Sequence, residues 1–261
     1  MRFPNPKIAT LTAAARYRDA LTDPVRADRA VLASLIAYAV LWAIYATIAK
    51  GSQGLHYDMA EVIAWSRDLQ LGYLKHPPLA AGIVWLWFSV FPVAEWSYYL
   101  LAMAMPAVAL WFAWRLSADY LDIEKRVVGL ALLTLIPFFN FHALKFNVNT
   151  VLIPLWAMTT FWFLRSFETR SRLYAALAGI GAAGCMLGKY WSVFLLAGLA
   201  VAALIDSRRA VYFRSAAPWI TIISGASSLP ALSAAVCDRL AAGLDREIGR
   251  ASCRERVSKQ V

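Results

Sequence analysis

The stretch AVLASLIAYAVLWAIYATIA, Ala30–Ala49, contains no charged residue. At ~1.5 Å per residue, a helix of this length covers about 30 Å, the thickness of a bilayer's hydrocarbon core. Further uncharged runs follow at Pro77–Ala94, Trp96–Trp114, Val127–Leu144, Phe146–Leu164, Leu173–Gly188, Tyr190–Ile205 and Ser215–Cys237. Over all 261 residues, 61% are hydrophobic and 16% charged, with a mean hydropathy of +0.55. Soluble domains average about 45–50% apolar and ~25% charged, so this excess needs a solvent other than water. Soluble helices also keep a charged face, which these runs lack. The expected fold is therefore all-α, a polytopic transmembrane helix bundle.

Charge orders the runs. The net charge of +10 does not signal nucleic acid, because the basic residues sit in short segments between apolar runs rather than on a soluble basic face. Arg2, Lys7, Arg16, Arg18, Arg26 and Arg29 mark residues 1–29 as a cytoplasmic segment. Arg115/Lys125/Arg126, Arg165/Arg170/Arg172 and Arg208/Arg209/Arg214 mark further cytoplasmic loops. These assignments agree only if one run does not cross. Pro77–Ala94 is that run: prolines bound it, Gly82 interrupts it, and Trp85 and Trp87 favour the headgroup zone. About seven spans remain, near 30–49, 96–116, 127–144, 149–165, 173–188, 190–205 and 215–231. Residues 50–95, the turn at Lys145–Asn149 and Lys189 then face outward, with the external loop carrying interfacial helices. The run after residue 29 is too long for a cleaved signal and reads as a retained first span. Cys185, Cys237 and Cys253 form no metal-ligand or disulfide pattern.

The outward loop GLHYDMAEVIAWSRDLQLGYLKHPPL, Gly54–Leu79, holds the most chemistry. Asp58 and Glu61 share one face if Asp58 begins a helix, where the dipole also favours acidic residues. Lys189, between two apolar runs with almost no loop, is an ionisable residue that marks a functional position. His76 either lines a site or closes the Pro77-Pro78 turn, and His56 and His142 read as interface residues. Asn149 either bonds a sugar hydroxyl or caps a helix.

Asp58-x-x-Glu61, Trp65, Gly72-Tyr73 and Lys75-His76-Pro77-Pro78-Leu79 resemble the first external loop of glycosyltransferase family 39. That family includes protein O-mannosyltransferases and the aminoarabinose transferases of lipid A. The resemblance continues at Lys145-Phe146-Asn147-Val148-Asn149-Thr150 and Gly188-Lys189-Tyr190, covering roughly residues 30–225. It implies a multi-span glycosyltransferase that moves a sugar from a polyprenyl-phosphate donor to lipid A, a protein or another glycolipid. The setting would be the outer face of the bacterial inner membrane. Asp58 is then the base of an inverting displacement, with Glu61 beside it. Arg67, Lys75, His76, Lys145 and Lys189 receive the donor phosphate, and Tyr57, Tyr73, Asn147, Asn149 and Tyr190 contact sugar or acceptor.

The pattern also departs from its relatives. Met59 rather than glutamate follows Asp58, and Asn149 stands where many relatives carry aspartate. Lys75-His76 replaces the glutamate–lysine pair whose glutamate helps bind a metal in the lipid A branch. A divalent metal thus stays open and no other cofactor is implied.

The core of the family is expected over 30–231, truncated, with the catalytic loop at 50–95 and the carboxy-terminal spans missing. Residues 232–246 lose the family's character, as a shifted frame or simple divergence would produce. Glu247–Val257 resembles an in-frame translation of a sequencing adapter, so 247–261 are set aside. Two other readings share the composition: a transporter or flippase for a lipid-linked sugar, which calls for internal repeats and paired midplane charges, and an inactive truncated fragment. The parity scheme makes one expected outcome concrete. In a variant lacking the native cysteines, Gln53→Cys and Tyr190→Cys should react with a membrane-impermeant maleimide added from outside. Arg170→Cys and Arg209→Cys should react only after permeabilisation; the reverse pattern would invert the topology.

Overall fold

The computed structural model describes residues 6–73 and 75–230; the expected frame change at 232–246 and the adapter-like segment 247–261 lie outside the described residues. In chain order the α-helices are α1 (Pro6–Thr22), α2 (Ala27–Lys50), α3 (Tyr57–Arg67), α4 (Leu79–Val90), α5 (Glu95–Ser117), α6 (Ile123–Leu135), α7 (Val148–Thr169), α8 (Arg172–Gly188), α9 (Ser192–Ile205) and α10 (Arg209–Phe213). A 3₁₀ turn spans Pro137–Phe139, and a further helix, α11, runs over 217–230. No strand occurs among the described residues, whose regular structure is all helical.

Two compact units form, each from two pieces of chain: Met1–Gly54 with Ala94–Phe146, and Leu55–Val93 with Asn147–Val261. In the first unit, α2 buries Val31, Leu35, Ala39 and Ala43 at every fourth position. Such i, i+4 spacing forms one narrow stripe, and its small residues let α5 approach closely. The opposite face stays open and apolar: Leu41 is 64% exposed and Ile48 78%. An exposed apolar face of this kind marks a surface that contacts a membrane or another protein segment. Both α2 and α5 are long and apolar enough to cross a bilayer.

Val127–Leu144 is not one continuous helix. α6 ends at Leu135 after 13 residues, about 20 Å of rise. Pro137 explains the break: a proline disfavours helical ψ in the residue before it, and Ile136 sits extended at φ −69°, ψ 125°. The chain then closes a 3₁₀ turn at Pro137–Phe139, and Asn140 Nδ2 donates to the Thr134 carbonyl at 3.0 Å.

In the second unit, α7 and α8 form an antiparallel hairpin. Arg170 makes the turn in the left-handed region (φ 56°), and the Ser171 side chain accepts from the Tyr174 N–H to cap α8. Phe167, Ala175, Ala203, Tyr212 and Ala217 close a core among α7, α8, α9, α10 and α11. α3 and α4, with 11 and 12 residues, rise only about 16–18 Å and are the shortest of the apolar or loop helices before α10.

α8 and α11 approach each other closely at Gly179. A Cβ there would lie 2.3 Å from the Thr221 carbonyl oxygen and 2.7 Å from the Gly225 nitrogen. Both are backbone atoms, so relief requires moving a helix. Gly179→Ala should cost roughly 1–3 kcal/mol of stability by overpacking. Gly198→Ala, in α9 with nothing within 4 Å, should be neutral or mildly stabilising. Thermal unfolding of the two variants in detergent tests this pair.

Candidate active site

Four segments of the second unit converge on one cleft: the start of α3, the turn before α4, the start of α7 and the turn between α8 and α9. Asp58, Glu61, Val62, Trp65, His76, Asn147, Val148, Asn149 and Lys189 line a space of about 90 Å³.

α3 begins at Tyr57 because His56 caps it: His56 Nδ1 accepts from the Asp58 N–H at 3.3 Å. The sequence read His56 only as an interface residue; its place is at a helix end. That nitrogen also lies 3.9 Å from Asp58 Oδ2, but a lone pair engaged with an amide N–H gives the carboxylate no proton, so the capping geometry describes the contact better. Asp58 and Glu61 fall in successive turns of α3 with the expected common face. Glu61 Oε1 meets Lys75 Nζ at 3.5 Å.

The turn that carries Lys75 and His76 is built on Tyr73. The Tyr73 N–H donates to the His76 carbonyl at 2.8 Å, and the Tyr73 ring stacks on Trp65 with centroids 4.7 Å apart. The Tyr73 hydroxyl donates toward the Trp65 and Asp68 carbonyls and accepts from the Gln70 N–H, so it serves the loop's backbone. Burial beside the Trp65 ring, reinforced by the charge of Lys189, holds His76 below its ordinary value, with Glu61 opposing. The imidazole is thus neutral at pH 7, and its Nδ1 is buried with no hydrogen-bond partner among the described residues.

α7 starts at a capping box. Asn147 Oδ1 accepts from the N–H groups of Asn149 (2.9 Å) and Thr150 (3.2 Å), while Thr150 Oγ1 accepts from the Asn147 N–H at 3.3 Å. The cap is therefore Asn147, not Asn149. Asn147-x-x-Thr150 carries the short-range signal for this, with threonine in the place of the usual Glu or Gln. Asn147 Nδ2 donates to Asp58 Oδ2 at 2.9 Å across 89 residues of sequence. Asn149, freed from capping, accepts from Lys189 Nζ at 2.7 Å.

Lys189 has extended backbone (φ −163°, ψ 134°) between α8 and α9. Its turn is braced by a pair of contacts that the sequence does not announce. Ser192 Oγ donates to the Cys185 carbonyl at 2.9 Å, and Trp156 Nε1 donates to Ser192 Oγ at 3.0 Å. Tyr190 (64% exposed) and Tyr57 (71% exposed) stand at the rim elements with free surface. Arg67 is exposed at the last turn of α3, outside the cleft lining, and Lys145 belongs to the first unit. Among the described residues no three His, Cys, Asp or Glu side chains gather as metal ligands.

The cleft thus offers an oriented carboxylate, a neutral imidazole, two amides and a lysine, in a loop order already seen to resemble a glycosyltransferase. Residues 75–233 match the family described as dolichyl-phosphate-mannose-protein mannosyltransferase. The chain belongs to this family. It is also 29% identical, over 193 residues, to a lipopolysaccharide core galacturonosyltransferase, RgtB, of Rhizobium johnstonii. That alignment takes in 72% of this chain and 38% of the relative's length, so the chain spans well under half of the curated protein it matches. No solved structure matches it. Family membership and the apolar helices α2 and α5 together point to a membrane protein.

The neutral state of His76 has a consequence for stability. Its value in the folded state is depressed, so the unfolded chain takes up the proton first as pH falls through about 6.5. Stability should decline below that point and level off once the folded imidazole also titrates. His76→Asn should remove this part of the decline in melting temperature between pH 7 and pH 5. Parallel profiles for the variant and the parent would show that His76 is not held neutral.

Proposed function

We propose that this chain is part of a membrane glycosyltransferase that moves a sugar from a polyprenyl-phosphate donor to an acceptor hydroxyl at the outer face of the bacterial inner membrane. One observation carries the reading: Asp58 and Lys189, 131 positions apart in sequence, line the same cleft and are both tied to the start of α7. In the displacement, the acceptor oxygen attacks the anomeric carbon and loses its proton to Asp58, with inversion. The bond to phosphate breaks, and the leaving polyprenyl phosphate carries the negative charge away. Lys189, beside the positive end of the 22-residue α7, would meet that charge. Glu61 and Lys75 pair at the cleft's edge, and a neutral His76 can either give or accept a hydrogen bond. Arg67 remains a candidate for the phosphate, and Tyr57, Tyr73, Asn149 and Tyr190 for sugar and acceptor.

Of the three acceptors, a lipopolysaccharide-type glycolipid comes first because the curated relative is a lipopolysaccharide core galacturonosyltransferase. The same relative makes a hexuronic acid the first donor sugar to test. For the topology we propose seven crossings, with the amino terminus cytoplasmic. They are α2, α5, α6 with its 3₁₀ turn, α7, α8, α9 and the helix over 217–230. α3 and α4 would lie in the outer interface. A core over 30–231, with the catalytic loop at 50–95, fits this scheme.

Asp58→Asn, in the uninterrupted protein that carries this segment, should lower transfer by about 10²- to 10⁴-fold, as loss of a general base does, while leaving membrane insertion unchanged. Measurement uses polyprenyl-phosphate hexuronate with lipopolysaccharide core as acceptor. Transfer at near-parental rates by that variant would remove Asp58 as the base.

A further inference from the structure

We infer that Asn147 is a positioning residue for Asp58, fixing one carboxylate oxygen so that the other is presented to the acceptor hydroxyl. This rests on the reading of Asp58 as base and replaces the expectation that Asn147 touches sugar.

The inference follows from the two ends of one amide. Asparagine has one acceptor atom and one donor atom on its side chain. In Asn147 the acceptor is committed, because Oδ1 takes the N–H groups of Asn149 and Thr150 at the start of α7. Those two backbone donors rule out a flipped amide, which would set Nδ2 against N–H groups. Nδ2 must then face Asp58, and it lies 2.9 Å from Oδ2. The helix therefore dictates the orientation of the donor, and the donor dictates that of the carboxylate. Asp58 Oδ1 has no hydrogen-bond partner among the described residues, so it is the oxygen left for an incoming proton.

A cap that served α7 alone would not need an amide. Aspartate, serine and asparagine are about equally good N-caps, but only asparagine adds a donor on the far side. An aspartate at 147 would keep the cap and set a second carboxylate against Asp58. The other charged or titratable groups near Asp58 are His56 at 3.9 Å on its own helix, and Glu61, His76 and Lys189 in the cleft lining, with Lys75 paired to Glu61. None of these supplies a second donor to Oδ2 among the described contacts, so the role falls on Asn147.

The test uses Asn147→Asp and Asn147→Ser, which preserve the cap, in the uninterrupted protein carrying this segment, together with Asp58→Asn. Loss of a charge-assisted hydrogen bond should lower kcat by about 10- to 100-fold in both cap-preserving variants, with little change in KM for donor. In Asn147→Asp the acidic limb of the pH–rate profile should also move to higher pH, with activity partly recovered in alkali, because two carboxylates must share a proton. The Asp58 carboxylate band, isolated by infrared difference against Asp58→Asn, should titrate at higher pH in Asn147→Asp than in the parent. This last reading needs no catalysis. Rates and band unchanged in both variants would reduce Asn147 to a cap and overturn the inference. A shifted band with full activity in Asp58→Asn would instead preserve the contact and overturn the assignment of the base.

Discussion

The start of α7 is the constraint on which the site depends. A helix leaves its first N–H groups without partners, and in an apolar surrounding each must be satisfied. Asn147 satisfies two of them with a single oxygen. Its nitrogen then reaches Asp58, and two residues on, Asn149 reaches Lys189. The same helix end thereby sets the place of a carboxylate from α3 and of a lysine from the α8–α9 turn. Opposite charges are held apart by neutral amides instead of collapsing into an ion pair, which leaves each one available to a ligand.

Supports for this arrangement lie outside the cleft. Tyr73 uses its backbone, its ring and its hydroxyl to fold the segment between α3 and α4 against Trp65, which sets where Lys75 and His76 begin. Ser192 and Trp156 brace the α8–α9 turn that carries Lys189. Gly179 lets α8 and the helix over 217–230 touch backbone to backbone, so the helix that leads into Lys189 is seated at close range. Close approach through small residues is the usual means of packing helices where lipid supplies no hydrophobic drive.

Much of the chain is legible in its sequence. Uncharged runs of about twenty residues have few fates other than membrane helices, and α2 and α5 fall where those runs lie. The loop pattern around Asp58 and Lys75-His76-Pro77-Pro78 was specific enough to indicate the family to which the chain belongs. Other features were misread for local reasons. Val127–Leu144 looked continuous because hydropathy is blind to Pro137's effect on Ile136. Asn149 was a reasonable cap by residue type, and Asn147-x-x-Thr150 was the better one because it closes two bonds. The brace at Ser192 had no signal at all, since a serine in an apolar run ordinarily just bonds its own helix.

The sequence by itself determined the all-helical class, the apolar surfaces and the chemistry-bearing residue types, because each depends on composition and on spacing within a few turns. It also placed Asp58 and Glu61 on one helix face, a matter of 3.6-residue periodicity. Only the tertiary structure decided that Asp58 meets Asn147 and that Lys189 meets Asn149. Those contacts join residues 89 and 40 positions apart. No local periodicity reaches that far: such pairings arise from how helices pack and from which polar atoms a helix end has already committed.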